Sequence, residues 1–493
     1  MEIFLVRAIS DATKLKYTEV VFVTCQFTAL FFSFFFRRYL KPTNTSTTTR
    51  YTAQLLLGIS MVLFSFGRGT IHFLIDSIVC YVMTLTLDPR YSQLFVTFFS
   101  VSYMSAIHLY FQFSNLGVNN LDYIGPLMIL TEKLSSLAWS VHDGFARKEE
   151  DLNDLQQHMV VREYPSPLKF FSFIFCPQNL LVGPVTYYAD YCAFIEGKPF
   201  MLKIKDEKGE EKLVYTEPSA LYAITGKLFF TLLSSLCLLT LVPRFPIMGN
   251  VDDDFIQNYS FLFRLGWLII SIEVAKSKYF LAWVWADAIN NAAGLGFNGY
   301  DDKGNPKWDG VTNVRIWEFQ TATSLKVLID NWNISGARWL RHVCFDRMPY
   351  QKKLTTFMLS SIWHGFYPGY FFTFGSASIM VAASQKVRVN LRHHFTSSSR
   401  LKAGYDVFTW ACTHLCLAYF IAPFTFLKFD LCVKYFNSFY WFLHVLAFMA
   451  IIFLPGRKRS KTPAKTEMNG VYESNHNSTD GKVNNHTETK KEQ

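Results

Sequence analysis

The sequence predicts an all-α, polytopic transmembrane protein. Three observations carry this expectation. Half of the 493 residues are hydrophobic, among them 49 Phe, 25 Tyr and 11 Trp. Only 17% are charged, against about 25% in an average soluble domain. Apolar runs recur along the chain at the length that a helix needs to cross a bilayer, about 20 residues. The length would allow roughly two or three soluble domains, but so many long apolar runs exclude them.

The runs fall at 17–36, 51–67, 70–87, 91–112, 121–141, 166–186, 219–243, 260–290, 354–383, 404–427 and 430–455. They predict about nine to twelve membrane helices, with re-entrant or interfacial helices among them. Two runs carry charge: 121–141 holds Glu132 and Lys133, and 260–290 holds Arg264, Glu273, Lys276, Lys278 and Asp287. Charges at membrane depth are costly, so these side chains are expected to face a protein interior or cavity. The opening MEIFLVRAISDATKLKY has no short apolar core followed by a cleavage site, so no cleaved leader is expected.

Residues 1–456 read as one membrane-embedded domain and 457–493 as a disordered cytosolic tail rich in Asn, Thr, Ser, Lys and Glu. The net charge of +10 is spread beside membrane runs, as in Arg37, Arg38 and Lys41 and in Arg457, Lys458, Arg459 and Lys461. That distribution excludes a nucleic-acid-binding domain and places the C-terminal flank in the cytosol. The tail ends KKEQ, and Lys490 and Lys491 resemble the dilysine signal by which coat proteins return membrane proteins to the endoplasmic reticulum. An endoplasmic reticulum membrane location is therefore expected. The sequons at Asn477 and Asn485 would then go unused, because glycosylation is luminal.

The nine cysteines lie mostly inside apolar runs and form neither a disulfide framework nor a zinc pattern. In ACTHLC, Cys412 and Cys416 share a helix face from which His414 points away, so no metal site is expected. GLGFNG places Gly294, Gly296 and Gly299 at dinucleotide-loop spacing. A long apolar helix precedes it where a strand is required, so tight turns at a helix exit explain it better. Asp252–Asp254 and Asp301–Asp302 read as solvated connections, and the stretch 146–164 as a polar loop or interfacial helix.

Residues 354–385 contain no Asp, Glu, Lys or Arg, yet His364 sits in their middle, within SSIWHGFYPGYFF. On a continuous helix, Pro368 removes the hydrogen bond to the His364 carbonyl, and Gly365 and Gly369 open one face to close approach. Ser360 and Ser361 would lie a turn away, with Trp363, Phe366, Tyr367, Tyr370 and Phe371 walling a greasy cavity. A neutral imidazole in such a setting is suited to general-base work; a packing histidine is the other reading. His108 and His444 also lie in apolar runs. Upstream, Asn333 in NWNISGARWLRHVC can hold a hydroxyl or donate to an oxyanion, or cap the helix that follows.

Together, NWNISGARWLRHVC and SSIWHGFYPGYFFTF resemble the membrane-bound O-acyltransferase family, in its lysophospholipid acyltransferase branch. The family pairs an Asn and a His that fall on Asn333 and His364. Its Trp-Asp motif matches Trp308-Asp309. WHGxxPGYxxxF is complete, covering Trp363, His364, Gly365, Pro368, Gly369, Tyr370 and Phe374. Tyr-x4-Phe matches Tyr419 and Phe424, and a fourth motif ends on His444 with Phe436 and Trp441 as aromatic replacements. The likeness covers about 90 to 450.

This resemblance implies a buried catalytic chamber and transfer of a fatty acyl group from acyl-CoA to the free sn-2 hydroxyl of a lysophospholipid, with lysophosphatidylethanolamine, -serine and -choline as acceptors. His364 would be the base and Asn333 would orient the acceptor or stabilise the oxyanion. Trp308, Asp309, Trp332, Trp363, Gly365, Tyr367, Gly369, Tyr370, Phe374, Tyr419, Phe424 and His444 would contact substrate. It implies no metal and no tightly bound cofactor, with acyl-CoA as co-substrate and lysophospholipid and membrane lipid as partners. A sterol, diacylglycerol or secreted-protein acceptor within the same family stays open, as does a transporter with a histidine proton relay. Acyl-chain choice, head-group choice and oligomeric state depend on cavity and interface shape, which residue spacing does not encode.

Overall fold

The computed structural model describes residues 4–114, 123–205 and 211–456. Leu121 and Asp122, which open one expected span, lie outside the described residues. So do 457–493, and with them Lys490, Lys491 and the two tail sequons. The described chain is helical almost throughout. Among the described residues the strands form one antiparallel hairpin, Met201–Lys205 with Glu211–Tyr215, in register Met201 to Tyr215, and an isolated bridge joins Tyr300 to Pro306.

Local chemistry sets the helix boundaries. In Tyr17–Tyr39 the Glu19 carboxylate accepts the Lys16 N–H at 3.0 Å, and Arg37 and Arg38 in the last turn complement the helix dipole. Ser46 caps Thr47–Phe66 by accepting the Thr49 N–H at 3.1 Å. Gly67, at φ 51°, ends it. Ser166, followed by Pro at the first helical position, starts Pro167–Ile174. Ser398 starts Ser399–Ile421.

Five helical segments among the described residues are long and apolar enough to cross a membrane: Tyr17–Tyr39, Thr47–Thr86, Ser92–Phe113, Leu221–Thr240 and Ser399–Phe426. The pair Phe429–Ser438 and Phe442–Phe453, bent by 77°, makes a sixth if it is one span. Their outer faces are apolar: Phe27, Phe31, Phe34 and Phe35 are exposed, as are Phe229, Leu232, Leu236 and Leu239. Such surfaces suit lipid rather than water. The protein is a multi-pass membrane protein.

Several of the other expected apolar runs are interrupted. The 260–290 run divides at Lys276 into Phe261–Ala275 and Ser277–Ala293. The 166–186 run is helical only over Pro167–Ile174. The 354–383 run divides at Gly365 into Lys352–His364 and Pro368–Phe395. Ile124–Ala146 stays whole but is packed inside the protein, with Glu132 and Lys133 both buried. Lys133 donates to the Phe173 and Ile174 carbonyls at 3.0 Å, so it caps the end of the Pro167–Ile174 helix. Arg264, Lys276 and Asp287 are buried too. The expectation that intramembrane charge faces inward thus holds for these five, whereas Glu273 is half-buried and Lys278, which lines the same cavity as His364, is exposed.

The glycine cluster at 294–299 forms the helix exit expected. Gly294 closes Ser277–Ala293 in the left-handed region at φ 97°, and a Cβ on Gly296 would lie 1.8 Å from Asn291 Oδ1.

Candidate active site

His364 is the last residue of its helix, and Gly365 at φ 119° turns the chain away. Only glycine takes that conformation without strain. Pro368 then opens the next helix at its first position, where no N–H is needed. The continuous helix expected here is thus a break, and Gly365 and Gly369 do not share a helix face. The break exposes the His364 side chain to a cavity of about 330 Å³.

Aromatic rings box in the imidazole. Phe374 stacks on it at 5.2 Å and 19°, and Phe424 meets it edge-on at 5.0 Å. Trp363 and Tyr370 stand 4.6 and 5.7 Å away. Trp363 is anchored in turn by its Nε1–H, which donates to the Met128 carbonyl at 3.1 Å. The ring is therefore held in one orientation by packing rather than by a carboxylate.

Asn333 lines the same cavity, along with Trp332, Trp363, Phe374 and Phe424. It occupies the left-handed region at φ 46°, which Asn tolerates better than most residues. It sits at the N-cap of Ile334–Leu340, but its side chain does not cap that helix. Asn313 does so from another segment: its Oδ1 accepts the Ser335 N–H at 2.8 Å and its carbonyl accepts the Ile334 N–H at 2.9 Å. Of the two readings open for Asn333, the side-chain cap is therefore not the one the structure adopts. Supplied from outside, the cap releases the Asn333 carboxamide from that role, and its Oδ1 instead accepts from Asn313 Nδ2 at 3.2 Å.

Trp332 forms the facing wall with Trp283 at 5.0 Å, Phe319 at 4.9 Å and Tyr279 at 5.6 Å. Lys276, Lys278, Thr356, Ser360, Thr373 and Thr425 add polar side chains to the cavity lining. The wall is long, apolar and aromatic, as an acyl chain requires.

The other residues singled out in the sequence take different places. Gly365 packs against His108, whose Nδ1 would lie 2.9 Å from a Cβ at that position. Gly369 admits the Pro423–Leu427 turn, and Tyr370 lies 4.8 Å from Phe424. Tyr367 precedes the Pro368–Phe395 helix and is 6.2 Å from Tyr370. These four support the box around His364.

Trp308, Asp309, Tyr419 and His444 do not line the cavity. The Trp308 carbonyl accepts from Lys227 Nζ at 2.8 Å and Asn291 Nδ2 at 3.1 Å, and Arg37 stacks on its ring at 5.0 Å. Asp309 accepts from Asn298 Nδ2 at 3.0 Å and pairs with Arg315 at 3.6 Å. Tyr419 and His444 satisfy each other at 3.0 Å, with Ser376 on the other ring nitrogen at 2.9 Å. The Trp308 carbonyl, the Asp309 carboxylate, the Tyr419 hydroxyl and the His444 imidazole are engaged within the protein and tie helices together, while the buried Trp308 Nε1 has no hydrogen-bond partner among the described residues.

Asn313, Tyr279 and Trp283 were not legible as site residues. Asn313 lies 20 residues from Asn333 in a loop, and no spacing rule links a loop position to a helix start.

A sequence profile of the membrane-bound O-acyltransferase family matches residues 108–424. The chain is 38% identical over 462 residues to membrane-bound glycerophospholipid O-acyltransferase 1 of Homo sapiens, covering 93% of each chain. It is 36% identical over 463 residues to lysophospholipid acyltransferase 6 of Drosophila melanogaster, covering 92% of this chain and 64% of that one. The lysophospholipid acyltransferase of Saccharomyces cerevisiae is 28% identical over 408 residues, covering 75% and 65%.

Proposed function

The chain belongs to the membrane-bound O-acyltransferase family, and from that premise we propose that it transfers a fatty acyl group from acyl-CoA to the free sn-2 hydroxyl of a lysophospholipid. The reading is supported by the family, by relatives whose names state glycerophospholipid or lysophospholipid acylation, and by one geometric observation. A single aromatic-walled cavity carries both the His364 imidazole and the Asn333 carboxamide.

In this mechanism neutral His364 takes the proton of the acceptor hydroxyl as its oxygen attacks the thioester carbonyl. The tetrahedral oxyanion is stabilised by hydrogen-bond donation from the Asn333 amide. Collapse breaks the carbon–sulfur bond, and the CoA thiolate leaves with the proton returned from the His364 imidazolium. The acyl group goes directly from sulfur to oxygen, so the enzyme carries no acyl intermediate. The apolar walls exclude water, which would otherwise hydrolyse the thioester. Trp332 and Trp363 hold the acyl chain, while Phe374, Phe424 and Tyr370 fix the imidazole.

We further propose an endoplasmic reticulum membrane location with the C-terminal flank cytosolic. The basic cluster Arg457, Lys458, Arg459 and Lys461 beside a membrane run supports that orientation.

The test is an assay of microsomal membranes with a panel of lysophospholipids and acyl-CoAs, comparing wild type with His364→Ala and Asn333→Ala. Acyl transfer is expected to vanish in the His364 variant at unchanged protein level. Wild-type transfer by that variant would overturn the assignment.

A further inference from the structure

The mechanism needs Asn333 to present N–H, not C=O, to the oxyanion. We propose that Asn313 is the positioning residue that fixes this orientation; the inference rests on the acyltransfer reading above. Asn313 is 2% exposed. Its Oδ1 accepts two hydrogen bonds from Ser335, from the backbone N–H at 2.8 Å and from the hydroxyl at 2.9 Å. A backbone N–H can only donate, so the oxygen end of the Asn313 amide must face Ser335.

The nitrogen end is then turned the other way, where Asn313 Nδ2 donates to Asn333 Oδ1 at 3.2 Å. An amide nitrogen also can only donate, so Asn333 must offer it oxygen. Each amide is thus set by a group with a single hydrogen-bonding role. Asn333 Nδ2 is left over: it carries no hydrogen bond among the described residues, and it packs across Gly336, where a Cβ would lie 2.5 Å from it. Gly336 lines the cavity with Asn333. Without Asn313, the carboxamide could rotate and aim its carbonyl at the developing negative charge. Two bonded segments would hold the pair in register even so, because Arg315 N–H donates to the Asn331 carbonyl at 3.1 Å.

The test uses the purified full-length chain with oleoyl-CoA and lysophosphatidylethanolamine, in the variants Asn313→Asp and Asn313→Leu. The leucine variant removes the donor, and its kcat is expected to fall roughly tenfold or more with both KM values near wild type. The aspartate variant retains the acceptor for Ser335. Its carboxyl, when protonated, donates to Asn333 as the native amide does; ionised, it accepts, and Asn333 turns its nitrogen away from the cavity. The ratio of variant to wild-type kcat is therefore expected to fall as pH rises. His364, Asp287, Asp309 and Arg315 are present in both chains, so the ratio isolates position 313.

A pH-independent ratio overturns the proposal, whether kcat is at wild-type level or lowered together with thermal stability. The aspartate variant decides the matter if the leucine variant does not fold. His364→Ala and Asn333→Ala run in the same assay separate the two levels. Wild-type rates in either refute the acyltransfer site, whereas inactivity in both beside a wild-type Asn313→Asp refutes the role of Asn313 alone.

Discussion

The Gly369 N–H donates to the Leu427 carbonyl at 2.8 Å, joining the start of the Pro368–Phe395 helix to the turn that carries Phe424. First-turn N–H groups have no partner within their own helix, so this bond satisfies one of them. It also sets Phe424 edge-on to His364. The approach is close enough that a Cβ on Gly369 would lie 2.2 Å from the Pro423 carbonyl oxygen. That contact is the physical content of the PGY triplet.

Gly369→Ala should therefore displace the turn and the Phe424 ring with it. The expected outcome is a loss of acyl transfer of about tenfold or more, with lowered thermal stability, since backbone cannot yield as a flexible side chain does. Thermal melting and initial rates of the purified variant check both.

Gly336→Ala acts differently. Its Cβ would strike the Asn333 side chain rather than backbone, at 2.5 Å from Nδ2. Stability should stay near wild type, while kcat falls as the carboxamide is pushed from its place. Equal losses of stability and kcat would refute this account.

Lys227 and Asp287 pair at 2.7 Å between Leu221–Thr240 and Ser277–Ala293, and Asp287 is buried. Thr312 also donates to Asp287, at 2.7 Å. Lys227→Met would leave a buried carboxylate with the hydroxyl alone, at a cost on the order of 3 kcal/mol. Lys227→Met with Asp287→Asn should recover part of that loss, measured as a shift in melting temperature.

Tyr419→Phe removes the hydrogen bond to His444 without emptying the site. About 1 kcal/mol of stability should be lost, with kcat near wild type in the folded fraction, because neither residue lines the cavity. A large loss of kcat without loss of stability would return both residues to the substrate site.

His158 and Asp190 meet at 2.7 Å outside the membrane helices. Burial works to lower the His158 pKa, but the hydrogen bond and negative charge of Asp190 outweigh it and raise the pKa, against opposition from Arg338. A raised folded-state pKa means that the stabilisation is full below the ordinary histidine range and is lost as pH rises through the elevated value. The melting-temperature gap between wild type and His158→Gln should accordingly be widest at low pH and narrow as pH rises. A gap that widens with pH would refute the pairing.

Much was fixed by the sequence alone, and the reason is that lipid is a strict solvent. Long apolar runs identify a polytopic membrane protein because backbone polar groups must be satisfied internally. Charges such as Lys133 and Asp287 point inward because the alternative is costly. WHGxxPGY, with Asn333 upstream, carried the family and the candidate base and donor. Continuity along the chain was not determined in the same way. Gly365, Lys276 and the chain after Ile174 interrupt runs that composition reads as single spans, since hydropathy averages over a window and does not register one residue at φ 119°.

Only the tertiary structure decided what each motif residue touches. Trp308 and Tyr419 carry the same kind of aromatic signal as Trp332 and Phe424, yet the first two bind helices together and the second two face the cavity. The orientation of the Asn333 amide was likewise settled by Asn313, a contact between chain segments 20 residues apart. Spacing rules reach one turn of a helix or one pair of strands. Beyond that distance, the packing of the helices chooses the neighbours.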